Sequence, residues 1–219
     1  MRNALLAGAT GLIGQTLLQR LVADARCGRV EVLARRPLPR ADAKLRVHVV
    51  DFAALPSLLP AVDDCYIALG TTIKVAGSEA AFRAVDFDAV VAVARAARQA
   101  GATRLAVVSA LGASRTSRIF YSRVKGDMEA AVGSLGYASV VIAQPSQLTG
   151  DRAALGQPVR SGEVWILRLL GPVLQFLPRG VRPIAADDVA AALIDAVAGA
   201  RSGTRVLGSG EMQGAAARG

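Results

Sequence analysis

Histidine is almost missing from this 219-residue chain, which holds His48 and no other. Catalysis of the Ser-His-Asp kind and multi-histidine metal sites are thereby excluded, and any proton chemistry falls to Tyr, Lys, Asp, Glu or Ser. Cysteine is nearly as scarce: Cys27 and Cys65 lack CxxC spacing, so neither a disulfide framework nor a metal site is expected. Aromatic residues make up 4% of the chain, too few for the stacking platforms that hold single-stranded nucleic acid. Lysine occurs only as Lys44, Lys74 and Lys125, so the net charge of +9 rests on arginines placed singly or in pairs. Scattered arginines argue against nucleic acid as a partner and for phosphate-bearing or acidic small molecules. No apolar stretch reaches the roughly 20 residues that span a bilayer. The nearest, Val164 to Leu177, is broken by Arg168, Gly171 and Pro172. Arg2 leads straight into a strand-like run, with no charged, apolar and cleavage regions in succession, so a cytoplasmic location is expected.

What is present is an apolar fraction of 53%, enough for one full core. Strand-like runs fall at Asn3–Ala7, Val30–Ala34, Val47–Asp51, Cys65–Leu69, Leu105–Ser109, Ser139–Gln144 and Arg205–Leu207. Helical spacing runs over Leu12–Ala23, a short piece near Leu55–Leu59, Ser78–Ala100, Ser122–Val132 and Asp187–Ala198. In the third of these Ala81, Phe82, Val85, Ala89, Val93 and Ala96 form the apolar stripe, with Arg83, Arg95 and Arg98 on the wet face. Alternating strands and helices predict an α/β fold: a doubly wound parallel sheet with helices on both faces. One domain is expected over residues 1–210, with a frayed tail at 211–219. Residues 145–183, rich in Pro and Gly, break the alternation and read as a small capping insertion over the carboxyl edge of the sheet, on the substrate side. Within it Trp165, Leu169, Leu170, Val173 and Phe176 form an apolar face that lines a pocket or covers the core. Arg152, Arg160, Arg168, Arg179 and Arg182 are candidates for positive charge near a site mouth.

The sharpest early feature is "AGATGLIG", which sets Gly8, Gly11 and Gly14 between the first strand and the first helix. That context fits a dinucleotide-binding turn. Gly8 permits the tight bend, Gly11 lets backbone approach a diphosphate, and Gly14 allows close helix–strand packing. The turn comprises Gly8, Thr10, Gly11, Leu12, Ile13 and Gly14, and its helix N-terminus offers free N–H groups to phosphate. The second strand ends Ala34-Arg35-Arg36, where a site for NAD would place an acidic residue. Two arginines there suit a 2′-phosphate, so NADP(H) is expected over NAD(H); the bland alternative is an exposed basic turn. Asp51 and Phe52 close the third strand beside the adenine position, and Leu69, Gly70 and Thr71 close the fourth, beside the cofactor.

In "YSRVKGDMEA" Tyr121 and Lys125 stand four residues apart on one face of a helix. An ammonium beside a phenol favours the phenolate, which suits Tyr121 to acid/base work. Lys125 is also a candidate ligand of the nicotinamide ribose. Ser109, at the end of "LAVVSA", is a candidate donor to the substrate oxygen, with Ser114 and Thr71 in reserve. The alternative is a turn-capping hydroxyl. Asp187 and Asp188 open the last helix, where carboxylates suit the dipole, and no metal site is read from them.

Taken in order, "GATGLIG", "LARR", "VVDF", "LGTT", "VVSALGA", "YSRVK", "QPSQLTG" and "RPIAADDVA" resemble the short-chain dehydrogenase/reductase superfamily. The likeness is greatest to its atypical members related to Tat-interacting-protein oxidoreductases and NAD(P)H-binding epimerase-like proteins. The resemblance implies a Rossmann domain and hydride transfer between NADP(H) and a small carbonyl or alcohol. It implies Tyr121 as acid/base, Lys125 as modulator and ribose ligand, and Ser109 as substrate-oxygen donor. It also puts Pro145 beside the nicotinamide. The chain departs from the pattern at Gln144-Pro145-Ser146, where such relatives read Arg-Pro-Gly, and at Ala110, where many carry a second Ser. Its substrate segment is too short for the lobe that holds a nucleotide-sugar, which favours carbonyl reduction over epimerisation. The other readings are a non-catalytic NADP(H) redox sensor or regulatory protein, and a peripheral-membrane or quinone-related activity. A monomer or homodimer acting on a small, acidic molecule is expected.

Overall fold

The computed structural model describes residues 1–39, 41–56, 59–149 and 178–217. Its strands are β1 Arg2–Ala7, β2 Cys27–Ala34, β3 Leu45–Val49, β4 Asp64–Ile67, β5 Arg104–Val108, β6 Ser139–Gln144, β7 Leu148–Thr149, β8 Ile184–Ala185 and β9 Gly203–Gly208. Seven of them form one sheet in the order β3-β2-β1-β4-β5-β6-β9, and every neighbouring pair is parallel. The central strands are buried almost end to end, as a sheet covered on both faces requires. Along β1 the side chains alternate, Leu6 entering one core and Leu5 and Ala7 the other.

One face is covered by α1 (Leu12–Ala23) and α6 (Ala186–Ala198), through Leu17, Leu21, Val189 and Leu193. On the other lie α4 (Val90–Gln99) and α5 (Phe120–Gly133), through Val90, Val93, Met128 and Val132. The fold is the expected doubly wound one. Its strand order reverses between β1 and β4, whose last residues Ala7 and Ile67 pair side by side. In such sheets ligands bind at that reversal, outside the carboxyl ends.

Several local expectations are revised. The helix expected over residues 78–100 is divided into α3 (Glu79–Arg83), a π-helical segment (Ala84–Ala89) and α4, and a short α2 (Ile73–Ala76) precedes it. Of the short helix expected near Leu55–Leu59, residues 57 and 58 lie outside the described residues; before it, Asp51 and Ala54 close a turn. β3 begins and ends two residues earlier than expected, at Leu45 and Val49. The expected insertion shows only its ends, where β7 pairs with β8. Trp165, Leu169, Leu170, Val173, Phe176, Arg152, Arg160 and Arg168 lie outside the described residues.

Residues 211–217 pack rather than fray. After β9 comes α7 (Ser209–Met212), with Met212 and, beyond it, Ala215 fully buried. The Ala216 N–H donates to Asp188 Oδ1 at 3.0 Å. Ending the chain at Gly208 is expected to cost about 3 kcal/mol, the value of one buried Met and a small neighbour. Thermal melts of the full and shortened chains check this, and coincident melts would contradict it.

Candidate functional site

The glycine turn is built by contact as much as by conformation. Gly8 has φ +93°, and a Cβ on it would lie 2.8 Å from the Leu69 nitrogen and closer still to the Ala68 carbonyl. A Cβ on Gly14 would overlap the Gly8 carbonyl, with its carbon 2.7 Å away. These two glycines let α1 sit directly on the turn and the turn on the end of β4. Gly11 differs. Its φ is −78°, and the nearest atom to a Cβ there is Gly8 O at 3.5 Å, an ordinary contact. The fold does not require glycine at 11, so the bare backbone there leaves room for something else. Gly11 caps α1 without a side-chain hydrogen bond, and the first turn carries no acidic residue. Its amides therefore present an uncompensated positive end, suited to a diphosphate. Ile13 turns its side chain into the core and Leu12 packs partly against it, so their main-chain groups are what a ligand would meet. Thr10 is exposed at the rim.

Arg35 and Arg36 follow β2 on the same carboxyl edge, both exposed. Asp51 is exposed and its Oδ1 accepts the Ala53 N–H at 2.9 Å. Phe52 packs partly on the core. Leu69 and Thr71 are half-buried beside exposed Gly70, and buried Pro145 accepts the Leu111 N–H at 3.0 Å.

Tyr121 and Lys125 both point toward the helix before them. The Tyr121 ring lies 5.4 Å from that of Phe82, at an angle of 40°. One helical turn on, Lys125 Nζ lies 2.7 Å from Asp86 Oδ1, with side chains 4% and 1% exposed. The Asp86 Oδ2 accepts the Thr71 N–H at 2.8 Å, joining this pair to the loop after β4. Sequence reasoning missed Asp86. The signal was an acidic residue four positions after Phe82, inside an otherwise apolar stripe. Gly126 was missed too: a Cβ there would lie 2.7 Å from Ser114 Cα, so the loop beyond β5 packs straight onto α5 beside Lys125.

Ser109 lies elsewhere in the hydrogen-bond network than expected. It is buried, and its hydroxyl donates to Glu129 Oε1. Gln144 donates to both oxygens of the same carboxylate, at 2.9 and 3.1 Å. A serine has one proton, and here it is given to Glu129 rather than left for a substrate carbonyl. Ser146 donates to the Arg182 carbonyl at 2.5 Å and accepts from Ser209 at 2.9 Å, tying the loop after β6 to the returning chain.

Of three tyrosines only Tyr121 reaches the surface. Burial pushes the Tyr66 and Tyr137 phenols above their usual value, and Tyr137 donates to Ala94 O at 2.6 Å. Both cysteines are free and buried, and burial raises their thiols. Asp187 ion-pairs with Arg20 at 2.6 Å, which lowers its pKa.

Residues 8–154 match the family described as NAD(P)H-binding. A protein of Eremothecium gossypii called "Protein FMP52, mitochondrial" is 37% identical over 152 residues, 68% of either chain. Its namesake from Aspergillus clavatus is 33% identical over 218 residues, 95% of this chain and 92% of that one. These names overturn the expected cytoplasmic location, since the relatives are described as mitochondrial. Among solved structures, "MoeE5 in complex with UDP-glucose and NAD" has a TM-score of 0.71 at 20% identity, covering 94% of this chain and 75% of that one. The ADP-L-glycero-D-manno-heptose-6-epimerase of Helicobacter pylori gives 0.69 at 16%, covering 94% and 76%. At such identities the likeness establishes the fold alone.

Gly14→Ala is expected to cost at least about 2 kcal/mol of stability, through overlap with the Gly8 carbonyl. Gly11→Ala is expected to cost far less. Urea unfolding of the two variants measures the difference, and equal losses would contradict the packing described.

Proposed function

The chain belongs to the NAD(P)H-binding family, and on that premise we propose that it is an NADP(H)-dependent oxidoreductase. It transfers hydride between the nicotinamide and a small carbonyl or alcohol, with an acidic group on the substrate matched to the chain's net charge of +9. One observation carries the reading. Contacts run without a break from the glycine turn to the candidate acid/base helix: Gly8 on Ala68 and Leu69, Thr71 on Asp86, Asp86 on Lys125.

The residues fit the dinucleotide. The space over Gly11 and the uncapped start of α1 would take its diphosphate, and Lys125 would take the nicotinamide ribose. Arg35 and Arg36 would take the 2′-phosphate; they stand at the end of β2, where an acidic residue would favour a bare ribose. When bound, the group supplies or accepts the hydride. Tyr121 gives a proton to the substrate oxygen in reduction and removes one in oxidation. Phe82 packs against the Tyr121 ring and holds its direction. Lys125 stays in place against Asp86, while Ser109, its proton engaged by Glu129, meets a substrate as an acceptor. That last feature, with Ala110, favours a second reading in which the protein binds NADP(H) as a sensor without turnover.

Oxidation of NADPH with a panel of aldehydes, ketones and quinones decides between them. Turnover is expected to fall by about 10²–10⁴ in Tyr121→Phe, with nucleotide affinity kept. Undiminished turnover would remove Tyr121 from the reaction, and binding without turnover in the wild type would support the sensor. The double variant Arg35→Ala, Arg36→Ala is expected to weaken NADPH by about 2 kcal/mol or more and NADH little. Equal weakening of both would refute the cofactor preference.

A further inference from the structure

Asp86 is among the most deeply buried charged groups described, and a buried carboxylate is costly unless it is paired. It sits in the π-helical segment, a local form often found at functional sites. One of its oxygens faces the Lys125 ammonium at 2.7 Å and the other accepts the Thr71 N–H at 2.8 Å. A Cβ on Gly70 would lie 3.4 Å from Asp86 Oδ1, so the loop after β4 passes beside the pair at ordinary contact distance. Lys125 alone would give the site a buried positive charge; with Asp86 it gives a neutral pair.

The oxidised and reduced dinucleotides share their adenosine, diphosphate and ribose groups and differ by one positive charge on the nicotinamide ring. Only groups near that ring can tell them apart by charge. We propose that Asp86 sets the preference of the site between oxidised and reduced dinucleotide, by cancelling the Lys125 charge beside the ring. This rests on the reading above, in which Lys125 holds the nicotinamide ribose. An uncompensated ammonium would repel the cationic ring and leave the reduced form untouched. Two unit charges several ångströms apart at the effective permittivity of a protein interior change an affinity by about tenfold or more. Asp86 removes that penalty, so the site holds both redox forms and the product of hydride transfer in either direction.

The test is a pair of dissociation constants, NADPH by fluorescence and NADP⁺ by calorimetry, and it needs no substrate. Asp86→Asn keeps the side-chain shape and an oxygen for the Thr71 N–H while deleting the charge. It is expected to weaken NADP⁺ about tenfold more than NADPH. Lys125→Met leaves the carboxylate uncompensated and is expected to shift the ratio the opposite way, whatever it does to both affinities through the lost ribose contact. The double variant is expected to return the ratio to that of wild type. A purely structural role would weaken both forms by one factor, and an unchanged ratio in either single variant overturns the proposal. Lys125→Met keeps the test available if Asp86→Asn does not fold. Wild type that binds neither form would instead remove the dinucleotide reading itself, an outcome seen before any variant is made.

Discussion

Everything at the carboxyl edge depends on one close approach: the backbone of the first turn pressed against the end of the neighbouring strand. Gly8 meets Ala68 and Leu69, and Gly14 meets Gly8, at separations no side chain would allow. The approach places the start of α1 over the point where the strand order reverses, so the amides of its first turn open onto the crevice. Because β4 is part of the same contact, the loop that follows it is fixed too. That loop carries Thr71, and through Thr71 the geometry is passed to the second half of the domain.

The second half is held by two helices in register. Phe82 and Asp86, four apart, meet Tyr121 and Lys125, also four apart, as an apolar contact and an ionic one. A neighbouring ion pair, Arg83 with Asp127 at 3.4 Å, repeats the link nearer the surface, where it contributes little. A buried pair of this kind is weak evidence of stabilisation, because the cost of taking two charges out of water offsets much of their attraction. What it provides is position: an ammonium with one direction, in a site whose net local charge stays near zero. Glu129 acts similarly on Ser109, one turn beyond Lys125, with Gln144 bridging from β6.

Much of this was legible in the residues because it rests on short-range signals. Gly8 and Gly14 announce a turn that excludes side chains, and near-continuous apolar strands announce a sheet buried on both faces. What could not be read depends on long-range partners. Asp86 shows in the sequence only as a blemish on an apolar stripe; its meaning needs Lys125, 39 positions away. Ser109 was legible as a hydroxyl at a strand end, but the direction of its proton is decided by Glu129 on another element. Residues 211–217 read as a free end because the burial of Met212 and Ala215 depends on distant elements such as α6. The cellular address suggested by the relatives' names leaves no trace in composition.

In this reading the bare backbone at Gly11 and the start of α1 seat a diphosphate. Backbone amide spectra of the isotope-labelled protein, recorded during titration with NADPH, address it most directly. Gly11, Leu12 and Ile13 are expected to shift furthest, with Gly70 and Thr71 shifting at the same midpoint. Saturating nucleotide that leaves the 8–14 amides unmoved would contradict it.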